Sequence, residues 1–157
     1  MRRMIAVVVA LAVVGTIAAQ TAGPFTLTRQ HDSLYYLNEW RLPYPVYRFA
    51  TGDVDGDGSV DALVGVIKTT RFDPVARRRL FIFKLTEGKV RPLWLGSRLG
   101  GLLCDFRWLD GRVRSLETSA DSLYSVSLWH WKDFGLEFER FIVHRTAKET
   151  AVKCFEE

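Results

Sequence analysis

The hydrophobic positions of this chain recur mostly at the spacing expected for β-strands. Asp110-Gly111 favours the positive φ values of a two-residue hairpin turn, and similar turn residues separate the other apolar runs. Helical patterns are weak, with 147–155 the nearest candidate. The pattern predicts an all-β antiparallel meander of about eight to nine strands. The predicted strands lie at 34–37, 46–50, 62–67, 80–83, 90–95, 102–108, 112–117, 123–131 and 136–143.

Two of these strands have patterns that say more about their surroundings. In 62–67 both alternating sets of residues are apolar, so we expect this strand to be central and covered on both faces. In 136–143 the alternation inverts near Arg140-Phe141, which predicts a β-bulge.

The first nineteen residues differ from the rest of the chain. Arg2 and Arg3 precede an unbroken apolar run at 4–14, and small residues follow at 15–19. This order is typical of a secretory signal peptide cleaved after Ala19, with an uncleaved anchor as the alternative. We therefore expect a secreted or periplasmic protein with no stable membrane insertion after cleavage.

Composition argues against two classes of protein. All 20 aromatic residues follow residue 24, and charged residues make up 25% of the chain, which argues against disorder. Loss of Arg2 and Arg3 would lower the formal net charge from +4 to +2. No broad positive field would then remain for nucleic acid, and we expect the run Arg77-Arg78-Arg79 to be solvated.

The densest candidate chemistry is an acidic loop at 53–61. Its sequence, DVDGDGSVD, has aspartates at positions 1, 3, 5 and 9. Carboxylates this close repel one another unless a cation lies among them, and oxygen ligands at alternate positions can wrap Ca²⁺. A solvated acidic loop is the alternative. The predicted metal ligands are Asp53, Asp55, Asp57, Asp61 and, through its backbone carbonyl, Ser59.

The surroundings of this loop distinguish between families of calcium sites. A helix-loop-helix site needs an acid at position 12, where this chain has Val64. The segments at 49–52 and 62–66, together with the loop, instead resemble the FG-GAP or VCBS repeat of integrin-α-like β-propellers over about 18 residues. The resemblance implies a loop that joins the first two strands of a blade, with calcium as its structural support.

The number of strands limits how much of a propeller the chain can form. A closed propeller needs at least about four blades, and eight or nine strands make about two. We therefore expect two propeller-blade-like sheets or a small β-sandwich, not a closed propeller. The expected divisions are a signal peptide at 1–19, an N-terminal segment with a short strand at 20–45, a calcium-loop blade at 46–101, a second blade-like sheet at 102–144 and a tail at 145–157.

By the same resemblance we expect a non-catalytic binding or adhesion module, with an undefined protein or glycan partner. The alternative is a glycan-binding accessory or hydrolytic domain that acts on polysaccharide. It would use Trp129 and Trp131, which share a strand face and could stack on sugar rings if exposed. The sequence contains no Gly-x-Ser-x-Gly or His-Glu-x-x-His motif, and we do not expect the protein to be an enzyme. Unpaired sheet edges would allow copies of the chain to assemble.

The two cysteines leave two interpretations open. Cys104 and Cys154 could form one disulfide in an oxidising compartment, or could remain a buried thiol and a tail thiol. Strand alternation places Cys104 on the same apolar face as Phe106 and Trp108, so we expect its side chain in their core.

Overall fold

The computed structural model describes residues 18–96 and 99–157. Within these ranges, twelve strands form three antiparallel four-stranded sheets, each a meander in chain order. The predicted all-β antiparallel class is confirmed, and the sheets remain open instead of closing into a barrel. No helix in the described part of the chain is long and apolar enough to cross a bilayer.

The three sheets follow one another along the chain. The first contains β1 (Ala18–Ala22), β2 (Phe25–His31), β3 (Leu34–Leu37) and β4 (Trp40–Leu42). The second contains β5 (Val46–Gly52), β6 (Asp61–Lys68), β7 (Arg77–Thr86) and β8 (Lys89–Leu95). The third contains β9 (Leu102–Leu109), β10 (Arg112–Thr118), β11 (Tyr124–Lys132) and β12 (Gly135–Thr146), and the helix α1 (Lys148–Glu156) follows it.

The structure has more strands than the sequence predicts because 18–42 forms a whole sheet. Each of the nine predicted strands overlaps an observed one, and β1, β2 and β4 are additional. In β2, Thr26 and Thr28 alternate with the buried residues Phe25 and Leu27, so only one face of the first sheet is strongly apolar. The predicted signal peptide lies outside the described residues except for Ala18 and Ala19, which begin β1.

Hydrophobic clusters join the sheets face to face. Val64 of β6 belongs to the cluster between the first and second sheets, together with Phe25 and Phe83. Leu63, the preceding residue, belongs to the cluster between the second and third sheets, which includes Phe106. The strand predicted at 62–67 is thus central and covered on both faces.

The helix α1 covers the far face of the third sheet. Phe155 and Ala151 are buried against Leu116 and Val126, so the predicted tail is part of the core. The guanidinium of Arg107 donates to the carbonyls of the last helical turn, where cations are favoured by the helix dipole.

Bulges change the faces of two strands in the third sheet. Leu116 pairs with Asp105 but Glu117 pairs with Leu103, so Cys104 is skipped in the ladder. Cys104 therefore packs with the α1 cluster, while Phe106 belongs to the cluster on the opposite face, and the predicted shared face is wrong. Both cysteines are free, and burial raises the pKa of the Cys104 thiol. The register of β12 also shifts between its pairs with Leu128 and Trp129, near the predicted bulge.

Candidate metal centre

The acidic loop connects β5 to β6, the first two strands of the second sheet. Gly52 at the end of β5 pairs with Asp61 at the start of β6, so the loop closes directly on the strand ladder. A Cβ at Gly52 would lie 1.9 Å from the Trp108 indole nitrogen, so only glycine lets the third sheet pack against this point. The loop is thus anchored both by its own strands and by the neighbouring sheet.

Inside the loop, the aspartates fold the backbone around themselves. Asp53 Oδ2 accepts a hydrogen bond from the Gly58 amide at 2.9 Å, and Asp57 Oδ1 accepts one from the Ser59 amide at 2.8 Å. Gly58 itself has φ +87°, a left-handed conformation that favours glycine. Short-range carboxylate-to-amide bonds of this kind stabilise tight turns.

Three of the four predicted acidic ligands come together. Asp53, Asp55 and Asp61 each offer a carboxylate oxygen, and these three atoms all lie within 4.8 Å of one another. Oxygen ligands of Ca²⁺ lie about 2.3–2.6 Å from the ion, so two ligands of one ion are separated by at most about 5 Å. The three carboxylates, called here the three-acid group, can therefore hold a metal ion.

Asp61 is the buried member of this group. Its side chain has no exposed surface, and its Oδ2 accepts a hydrogen bond from the Val54 amide at 2.9 Å. Its other oxygen, Oδ1, is shielded from solvent and has no hydrogen-bond partner, and Asp53 Oδ1 is in the same state. Loss of hydration raises the pKa of Asp61 to about 6. A cation would supply the interaction that these two oxygens lack.

The remaining predicted ligands lie differently. The carboxylate of Asp57 is outside the three-acid group and accepts a hydrogen bond from Lys84 Nζ at 2.8 Å. This bond is the main reason why the pKa of Asp57 is lowered. Ser59 is exposed, and its amide is held by Asp57.

Lys84 is a contact of the acidic loop that is absent from the sequence-based prediction. Its ammonium also donates to Asp55 Oδ2 at 2.7 Å, and these two bonds raise the pKa of Lys84 above its ordinary value. Strand alternation on β7 puts Lys84 on the same face as Leu80 and Ile82, which both belong to the cluster facing the third sheet. In the sequence, the sign of such a contact is a lysine at the next position of an otherwise apolar strand face.

A cleft of about 500 Å³ adjoins the loop on the side of the third sheet. Asp53 and Asp55 line one side, and Arg112, His130 and Trp131 contribute to the other. Glu139 also lines the cleft, and its carboxylate accepts a hydrogen bond from Arg112 Nε at 2.6 Å.

The two tryptophans proposed for glycan stacking do not form an exposed pair. Trp129 is only 8% exposed, and its indole nitrogen donates to Ser115 Oγ at 2.8 Å inside the third sheet. Trp131 is half-buried against the cluster between the second and third sheets. Bulky aromatic side chains fill the space between packed sheets, and Trp129 fills space in that way between the second and third sheets.

The arginine run also has partners within the protein. Arg77 and Arg79 both donate to the Asp73 carboxylate, at 2.8 and 3.2 Å. The Arg78 guanidinium lies over the Tyr47 ring at 4.7 Å and donates to the Cys104 carbonyl. The run therefore ties the second sheet to its own loop and to the third sheet, while Arg78 also remains exposed to solvent.

The three-acid group is thus the place where the described residues could hold a metal ion, and it contains only carboxylate ligands. No protein-family model matches the chain, and no curated protein matches it.

Proposed function

We propose that this chain is a secreted calcium-binding β-domain of the FG-GAP or VCBS kind, in which the ion stabilises the loop between β5 and β6. The observation that carries the proposal is the buried Asp61 Oδ1 atom, which lacks a hydrogen-bond partner within a group of three converging carboxylates. An isolated buried carboxylate is costly, whereas a bound cation compensates for its lost hydration.

The ligand atoms favour calcium over other common metals. The three-acid group offers only carboxylate oxygens, whereas zinc sites usually include histidine or cysteine. The aspartate spacing is that of a loop that wraps Ca²⁺, and Mg²⁺ retains more of its water. For an extracellular module we expect a Kd of roughly 10⁻⁴ to 10⁻³ M.

Calcium at this position would act through the strands. Asp53 directly follows β5 and Asp61 begins β6, so one ion would clamp the end of this strand pair. The same end packs against Trp108 of the third sheet through Gly52. An ion that binds only the folded loop stabilises the folded protein by mass action.

The biological role that follows is that of a binding or adhesion module without catalysis. The carboxylates of the three-acid group would bind the ion and would not be free for proton transfer. The FG-GAP resemblance of the loop supports a role in contacts with a protein or glycan partner. The signal-like sequence at 1–19 would deliver the domain to a compartment that is rich in calcium.

Calcium titration by calorimetry tests this proposal directly. We expect one calcium ion per chain with a Kd of roughly 10⁻⁴ to 10⁻³ M, and weaker binding of magnesium. Asp55→Asn should reduce calcium affinity, because it removes one charged ligand. Asp121→Asn, which changes an exposed carboxylate paired with Arg145 outside the loop, is the matched control and should bind calcium normally. Absence of binding by the wild-type protein would refute the proposal.

A further inference from the structure

Lys84, on β7, places a positive charge against the acidic loop. Its ammonium bridges Asp55 and Asp57, at 2.7 and 2.8 Å, and its side chain is only 23% exposed. Asp55 is a member of the three-acid group, while Asp57, whose spacing predicts a ligand, lies outside it. The lysine therefore joins one converging carboxylate to one that does not converge.

We propose that Lys84 is a built-in competitor of the metal: its ammonium neutralises the metal-free loop, and calcium must displace it from Asp55 to bind. Displacement also releases Asp57 to become a ligand. This inference rests on the proposed calcium site and specifies how its affinity is set.

The geometry supports competition over simple coexistence. Lys84 Nζ occupies hydrogen-bond positions on Oδ2 of both aspartates, and a divalent ion held by Asp55 would lie close to this ammonium. Like charges at such short range repel strongly where the surroundings are partly buried. Charge-assisted hydrogen bonds are also among the stronger polar contacts, so their loss must be offset by the ion.

The position of Lys84 on the fold makes the bridge well defined. Phe83, the residue before it, pairs with Ala62, which immediately follows Asp61 on β6. The lysine is thus delivered to the loop by a buried strand and not by a mobile segment. When no metal is bound, this ammonium would offset part of the repulsion among the loop carboxylates.

Two consequences separate this proposal from a purely structural salt bridge. Removing the ammonium should strengthen calcium binding, although it removes two hydrogen bonds from the loop. It should also destabilise the protein when calcium is absent, because Asp55 and Asp57 then lose their counter-charge. A structural bridge that persists in the bound state would instead weaken calcium binding when it is lost.

The test is calcium titration of Lys84→Met by calorimetry, at 0.15 M and 0.5 M KCl. We expect a Kd at least about tenfold lower than that of the wild type at both salt concentrations, as charge-assisted bonds to the site no longer compete. A general effect of net charge would be largely screened at the higher salt. Lys132→Met is the matched control, since it removes an ammonium from the exposed pair with Glu137.

A second pair of variants tests the release of Asp57. Lys84→Met should increase calcium affinity less in the Asp57→Asn background than in the wild type, because the carboxylate that would be released as a ligand is then missing. Lys84→Gln provides a polar replacement of similar size should the methionine variant fold poorly. An unchanged or higher Kd in both Lys84 variants, with normal binding by the wild type, would overturn the competition alone. No binding by any of these proteins would overturn the calcium site and the competition together.

Discussion

The amide of Val54 donates a hydrogen bond to Asp61 Oδ2 at 2.9 Å, across the base of the acidic loop. Val54 follows the end of β5 and Asp61 begins β6, so this bond closes the loop and fixes the orientation of the buried carboxylate. Asp61 Oδ1 then remains without a partner among the described residues. Asp61 therefore closes the loop through one oxygen, and its other oxygen could contact a metal ion held by the three-acid group.

The pH dependence of the metal-free protein should report on Asp61. Its pKa is raised from 3.8 to about 6 in the folded protein, because burial disfavours the charged form. The folded state therefore binds this proton more tightly than the unfolded state, and the contribution of Asp61 to the free energy of unfolding falls as pH rises from about 4 to about 6. A shift of this size corresponds to roughly 2–3 kcal/mol.

Urea unfolding in EDTA at pH 4 and pH 7 measures this effect. The difference in stability between wild type and Asp61→Asn isolates it from other titrating groups, because the asparagine keeps an acceptor for Val54 but carries no charge. On going from pH 4 to pH 7, the free energy of unfolding of the variant should rise relative to that of the wild type. Parallel pH profiles for the two proteins would show that the Asp61 carboxylate is not disfavoured by burial.

Gly52→Ala should damage both the fold and the metal site. The new methyl group would collide with the Trp108 indole, which lies where the Cβ must go. Displacement of the indole or of the end of β5 should cost about 1–3 kcal/mol, as for other overpacked sites. Asp53 follows Gly52 directly, so calcium affinity should fall as well.

The control for this variant is Gly88→Ala. The added methyl group would meet no atom within 4 Å, but the φ of +74° at this position is strained for alanine. It should cost stability without changing calcium affinity. Calorimetric calcium titration and urea unfolding of both variants separate the two effects. Normal calcium binding by Gly52→Ala would contradict the coupling of the third sheet to the loop.

Trp129→Phe should lower stability without affecting calcium. The Trp129 indole donates to Ser115 Oγ, which donates to Glu117 Oε1 at 2.6 Å in a buried network. Glu117 Oε2 in turn accepts a bond from the Gly101 amide at 2.7 Å. Loss of the indole donor should cost about 1–3 kcal/mol, measured by urea unfolding. Unchanged stability combined with lost binding to a glycan would instead support the polysaccharide alternative.

The parts of the fold that sequence could predict are those whose signals are local. In β6, Val64 and Leu63 lie on opposite faces and both are buried, as an apolar run in both registers indicates. Asp53, Asp55 and Asp61 are likewise close in sequence, and their spacing predicts that they converge, whereas Asp57 lies outside the group and is bonded to Lys84. By contrast, β1 contains mainly alanine, threonine and glutamine and is largely exposed, which gives little pattern to detect.

Features that depend on distant parts of the chain could not be predicted in the same way. The bulge at Cys104 depends on how β9 pairs with β10, and it reverses the face that simple alternation assigns. Lys84 approaches Asp55 only because β7 lies beside β6, across 29 positions of sequence. The burial of Trp129 likewise depends on the packing of one sheet on the next.

The most direct test of the calcium site is thermal unfolding of the wild type and Asp61→Asn, each in EDTA and in about 10 mM CaCl₂. At a Kd of roughly 10⁻⁴ to 10⁻³ M, calcium should stabilise the wild type by about 1.4–2.7 kcal/mol and raise its Tm by several degrees. Asp61→Asn should melt at nearly the same temperature in both solutions, and MgCl₂ at equal concentration should have a smaller effect on the wild type. Identical melting of the wild type with calcium and with chelator would contradict the account.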